Sequence, residues 1–226
     1  QDSEFVEEIN TLQKEINALQ ERLGSIDSAA RSKAIKKRKR EPKPTQNEGP
    51  SPISKWEFDQ NLNDSIGKMH GTISGEAKLE NGALVLNGRD SFVMTTSLGK
   101  DIQEKTLEAW VQLNDLGQKG SGVIGIQSTD GQVFDSIVFG EKSPQTWMAG
   151  SDTLKRSQGN DGPKETEAQS KPIHVAITYS KDGTITRYRK GQVYGDSYKT
   201  KSQSFEKGKS QILFGMRHGT KAEMRG

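Results

Sequence analysis

The chain has 226 residues, no cysteine and 30% hydrophobic residues, which suits one large domain plus a segment that adds little to a core and excludes disulfides, c-type haem attachment and thiolate metal sites. Its net charge of +3 conceals an asymmetry, because residues 31–43 hold eight Lys or Arg against Glu41, a local +7 that leaves −4 for the remainder. That acidic remainder gives no electrostatic support for nucleic-acid binding, and no apolar run approaches the roughly 20 residues of a membrane span.

Residues 2–40 read as a helix. Phe5, Ile9, Leu12, Ile16, Leu19, Leu23 and Ile26 are spaced 4-3-4-3-4-3, a coiled-coil seam over three heptads. Asn10 and Asn17 fall one position beyond the seam and do not set its register. The pattern predicts a helical partner for residues 5–26, either a second copy or another helix of a parent chain. The basic run Lys36–Arg40 closes this first segment, 1–40. It reads as a solvated helix end, where cations complement the macrodipole, in preference to a localisation, nucleic-acid or membrane-surface patch. Residues 41–53 follow as an extended linker carrying Pro42, Pro44, Pro50 and Pro52.

From residue 54 the pattern changes to short alternating apolar runs broken by Gly and Asp turns. Strands are predicted near 54–58, 71–74, 76–80, 83–87, 91–96, 105–113, 122–128, 134–140, 145–149, 173–180, 184–190 and 210–216. Glu80-Asn-Gly82 and Ser180-Lys-Asp-Gly183 mark two hairpins, since Asn-Gly and Asp-Gly supply the positive φ that tight turns need. The polar stretch 153–171 reads as a long exposed loop. The fold class is therefore mainly β, a two-sheet antiparallel jelly-roll sandwich over 54–219, preceded by the helical coiled-coil segment. Residues 220–226 form a tail without a closing strand, so the sequence reads as part of a longer protein.

At these strands the chain resembles the concanavalin A-like, laminin-G-like jelly-roll family. Trp56-Glu-Phe-Asp with Leu62-Asn-Asp-Ser and His70-Gly71 is similar to that family's first strand and turn. Leu84-x-Leu-Asn-Gly88, Phe92-Val93 and Lys105-Thr-Leu-Glu-Ala-Trp-Val111 match its next strands. Phe134–Glu141, Trp147–Asp152, Gly183–Arg189 with Tyr194-Gly195, and Leu213–His218 resemble the version found in large planctomycete-type, cytochrome-c-containing multidomain proteins. The resemblance covers about 55–219. It implies a recognition module in an exported or cell-envelope protein, preceded by a helical segment.

The glycoside-cleaving branch of this fold requires paired carboxylates on one strand face. The nearest candidate, Glu104-x-x-x-Glu108, has no acid between, and Glu108 falls on the even-numbered, solvent-directed face of its strand. No Gly-x-Ser-x-Gly turn accompanies His70, His174 or His218. The segment is therefore read as non-enzymatic, with a divergent hydrolase as the remote alternative. Calcium is the possible cofactor, through Asp59, Asp64 and Asp135. The same acids, beside Gly and Asn, can simply cap turns.

Carbohydrate sites combine an exposed ring, on which sugar C–H faces stack, with polar groups that match hydroxyls. Glu141, Trp147, Asp152, Tyr188, Arg217 and His218 are the candidate residues. Trp110, between Ala109 and Val111, reads as core, whereas Trp147 is open to either role. Two functions remain: a glycan-binding module, or an interaction and spacer domain without a small ligand. Convergence of Glu141, Trp147, Asp152 and Arg217 in an open groove would favour the first. A flat face with Trp147 buried would favour the second.

Overall fold

A computed structural model describes residues 2–40 and 51–220, and the chain divides into units Gln1–Ser51 and Pro52–Gly226. The linker expected over 41–53 lies mostly outside the described residues, as does the tail beyond residue 220. In the first unit, α1 spans Asp2–Arg40. The seam side chains from Phe5 to Ile26 are 48–68% exposed.

Among the described residues of the second unit there are thirteen short strands. β1 (Gly71–Ser74), β4 (Phe92–Ser97), β6 (Ser121–Ser128), β7 (Phe134–Phe139), β8 (Trp147–Ser151) and β13 (Ser210–Phe214) form a sheet in the order β1-β4-β13-β6-β7-β8. β5 (Lys105–Val111), β9 (Ile173–Tyr179), β10 (Thr184–Arg189) and β11 (Gln192–Val193) form the second sheet, in the order β11-β10-β9-β5. β12 (Tyr198–Lys199) also pairs with β10. β2 (Lys78–Glu80) and β3 (Ala83–Val85) make a separate hairpin. Every named pair is antiparallel, as the jelly-roll reading requires.

Alternation builds the core. Ile126, Ile137, Phe139, Trp147 and Ile212 from the first sheet meet Leu107, Val175, Ile177, Tyr179 and Ile185 from the second in one buried cluster. Each large apolar side chain removed from water contributes about 1.5–3 kcal/mol. The predicted hairpins form: Asn81 and Gly82 have φ of 53° and 72°, and Gly183 has φ of 87°. A Cβ on Gly183 would lie 1.7 Å from the Thr200 carbonyl oxygen, so no larger residue fits that turn.

Two expectations change. The strand expected at 54–58 reduces to one bridge, Trp56 to Asp64, because Phe58 turns into the left-handed region at φ 56°. The stretch 153–171 is not a free loop. Arg156, Ser157, Asn160, Glu165 and Ala168 are buried in it. Glu165 accepts from Trp147 Nε1 at 2.8 Å and takes a two-pronged contact from Arg189, each prong 2.8 Å. Asn160 Nδ2 donates to the Trp147 carbonyl at 2.7 Å. The loop is therefore tied down by polar groups whose partners lie far away in sequence.

Candidate functional site

The register of β5, β9 and β10 fixes which side chains share the outer face of the second sheet. Trp110 opposes His174, Glu108 opposes Ala176, and Ala176 opposes Tyr188, which in turn opposes Val193. Directly opposed residues project from the same side of a sheet. Their chain neighbours Leu107, Ile173, Val175 and Ile177 are buried, so this row is on the solvent side. There Trp110 is 73% exposed and Val193 62% exposed. The Trp110 and His174 ring centroids lie 5.4 Å apart at 53°. His174 Nε2 is 3.6 Å from Glu108 Oε2, close enough for an ion pair when the ring is protonated. Ala176, the smallest member, sits between Glu108 and Tyr188. Thr106, Thr178 and Thr186 form the adjoining row, with Thr186 Oγ1 2.8 Å from Ser197 Oγ. An open indole thus stands beside an imidazole and a carboxylate, with a phenol two strands away and several hydroxyls farther along the same face.

Trp110 is therefore not core. The signal that locates it is the alternation itself: if Leu107, Ala109 and Val111 face inward, Thr106, Glu108 and Trp110 must face outward. Its apolar neighbours Ala109 and Val111 pointed the residue inward, although adjacent strand residues face opposite sides.

Trp147 is the reverse case. It is fully buried, packs against Phe139 with centroids 4.7 Å apart, and spends its indole N–H on Glu165. It cannot offer a ring face to a ligand. Burial pushes the Glu165 carboxyl up, but Arg189, Trp147 and a backbone N–H outweigh it and hold the group at about 2.

Arg217 and His218 belong to a strap that leaves β13 and crosses the first sheet. Gly122 permits the crossing, since a Cβ there would lie 2.1 Å from the Met216 backbone. Arg217 Nη2 pairs with Glu141 Oε1 at 2.6 Å and its guanidinium lies 5.1 Å from the Phe134 ring centre. His218 stacks flat on Phe134, centroids 4.1 Å apart, and its Nδ1 lies 3.0 Å from the Gly131 carbonyl. Burial raises the Glu141 carboxyl against the pull of Arg217, and burial lowers His218. Gln127 fixes the strap's end through Gly219, accepting its N–H and donating to its carbonyl, both at 2.8 Å.

Asp152 is engaged by Arg156 Nη2 at 2.5 Å. Arg156 Nε reaches Asp135 at 2.7 Å, and Lys105 Nζ approaches the other Asp135 oxygen at 2.8 Å. Burial drives the Lys105 ammonium downward while Asp135 opposes it. Two cations thus already compensate Asp135. Asp64 behaves as a turn cap: Oδ1 accepts N–H groups from Lys55, Ile66 and Gly67, and Oδ2 accepts from Met69. Burial raises this carboxyl, but those N–H bonds prevail and hold it at about 2. Asp59 is exposed at the preceding bend. The three calcium candidates do not converge. Among the described residues no group of three or more His, Asp or Glu side chains is arranged to hold a metal.

Of the six ligand candidates, then, Tyr188 lies on the open aromatic face. Glu141, Arg217 and His218 lie along the strap, Asp152 pairs with the pinned loop, and Trp147 is inside. Near Tyr179 and Arg156 a shallow recess encloses about 190 Å³, open solvent included. Glu104 anchors a turn, accepting the Lys181 N–H at 3.1 Å.

The chain is similar in structure to domain 4 of AbnA, a GH43 extracellular arabinanase from Geobacillus stearothermophilus solved with arabinotriose. The identity is 20% over 74% of this chain and 93% of that one, with a TM-score of 0.48. It is also similar to the carbohydrate-binding module CBM66 from Bacillus subtilis, at 13% identity over 64% and 87%, TM-score 0.45. A third similar structure is a pentraxin from Limulus polyphemus, at 15% identity over 63% and 68%, TM-score 0.46. Likenesses at this level assign neither a ligand nor a site. No curated protein sequence matches the chain. The model of the concanavalin A-like lectin/glucanases superfamily matches residues 87–226, well over half the chain and all strands from β4 onward, and the chain belongs to that superfamily.

Proposed function

We propose that the sandwich is a non-catalytic carbohydrate-binding module whose ligand lies on the outer face of the β11-β10-β9-β5 sheet. The observation that carries this reading is Trp110, 73% exposed near the end of β5. An indole held open on a rigid sheet exposes apolar area that folding would otherwise bury, and such placement marks recognition more often than stability. Sugar C–H faces stack on the ring, while Glu108, His174 and Tyr188 match hydroxyls around it. Glu141, Asp152, Arg217 and His218 are left out, because their charged or ring groups are engaged within the fold. Residence in a larger exported or envelope multidomain protein is part of the proposal and rests on the sequence resemblance.

The second reading is a docking and spacer domain without a small ligand. Burial of Trp147 favours it. A glycan array separates the two, using the wild-type chain and Trp110→Ala, each with calcium and with chelator. The module reading expects binding to a defined polysaccharide class that Trp110→Ala weakens roughly thirtyfold, the value of an aromatic hot spot worth about 2 kcal/mol. Binding should survive the chelator. A folded wild-type chain that captures no glycan supports the docking reading instead.

A further inference from the structure

Every side chain described on α1 is exposed. An isolated helix gains most of its stability in proteins by packing an apolar face, and this one carries such a face unused. In heptad terms Ile9, Ile16 and Leu23 occupy a, while Phe5, Leu12, Leu19 and Ile26 occupy d. Ile at a with Leu at d, as in the heptads of Ile9–Leu12 and Ile16–Leu19, favours two parallel strands over three or four. Leu23 and Ile26 reverse that order in the last heptad, beside Gly24.

The flanks agree with an in-register parallel pair. Glu8 and Glu15 are g positions, and each faces an e position five residues on in the partner, Gln13 and Gln20. Glutamine amides can donate to those carboxylates, and no like charges meet. An antiparallel pairing with residue 5 opposite residue 23 would instead set Glu15 against its own copy. We propose that α1 pairs in parallel with α1 of a second copy of this chain, so that the helix is a dimerisation element and the functional protein carries two sandwiches.

This inference is independent of what the sandwich binds. The test uses the full chain, whose lack of cysteine lets one introduced thiol report without background. Light scattering should give twice the chain mass at high micromolar concentration. Phe5→Cys should form an interchain disulfide under mild oxidation, because d positions of a parallel pair face each other. In the antiparallel registers that align the seam, the two thiols would sit roughly 25 Å or more apart, at 1.5 Å per residue. Ile16→Asp, which places a charge at the central a layer, should return the mass to one chain. A one-chain mass for the wild type overturns the proposal, whether the helix persists or melts. So does a three-chain mass, a dimer that survives Ile16→Asp, or a dimer in which Phe5→Cys does not cross-link.

Discussion

Trp110 and Trp147 are the same residue on strands of similar length, yet one is 73% exposed and the other fully buried. The difference is decided across the sheets. Trp147 finds Phe139 and the Glu165–Arg189 pair waiting inside, which satisfy its ring and its N–H together. Trp110 falls on the outer side, where its cross-strand neighbour is His174 and Glu108 precedes it by two residues on the same strand face. A tryptophan in the interior helps specify the fold, and the one displayed on the sheet carries the proposed binding function.

The contrast makes stability predictions of opposite size. Trp147→Ala should cost about 3–5 kcal/mol, as truncation of a buried aromatic does, and leave the domain unfolded or nearly so by thermal denaturation. Trp110→Ala should change stability by no more than about 0.5 kcal/mol. Comparable melting losses for both variants would erase the distinction.

Glu165→Gln sharpens it further. It leaves the half-buried Arg189 beside a neutral amide but still paired with Glu167 at 2.9 Å, so the loss should be about 1–3 kcal/mol. In the wild type Glu165 stays ionised to about 2 when folded, whereas the unfolded chain protonates it near its ordinary value of 4.5. The unfolded state therefore binds the extra proton as acid is added. The stabilisation is complete above about pH 4.5 and drains away as the pH falls toward 2. Acid titration of stability should show this slope in the wild type and a shallower one in Glu165→Gln.

Asp64→Ala tests whether a predicted metal residue is a turn cap. It should cost about 1–3 kcal/mol by orphaning buried backbone N–H groups, with the same melting temperature in calcium and in chelator before substitution. A calcium-dependent rise in the wild-type melting temperature would restore a metal role. Smallest of all, Tyr188→Ala should leave folding intact and weaken glycan binding only several-fold, measured on the array hit.

Much of the fold was legible because its determinants are local. Strand alternation and the Asn81-Gly82 and Asp182-Gly183 turns place β1 to β10 and β13 within a few residues. The missed pieces depend on distant partners. Glu165 and Arg189 look like solvated loop and strand charges, because their pairing spans 24 residues. The strap of Arg217 and His218 reads as a strand end, and its contacts with Phe134, Glu141 and Gln127 show that it crosses the sheet. The proposed binding face was half legible: the outward direction of Glu108 already implied that of Trp110, two residues on.

The most direct test of the central claim follows the indole N–H signals of the three tryptophans by nuclear magnetic resonance while the glycan identified on the array is added. Trp56 and Trp147 donate those protons to the Met69 carbonyl and to Glu165, so their signals serve as internal references. The Trp110 signal should move and saturate while those two stay in place. A saturating shift confined to Trp56 or Trp147, or an unmoved Trp110 in the bound protein, would contradict it.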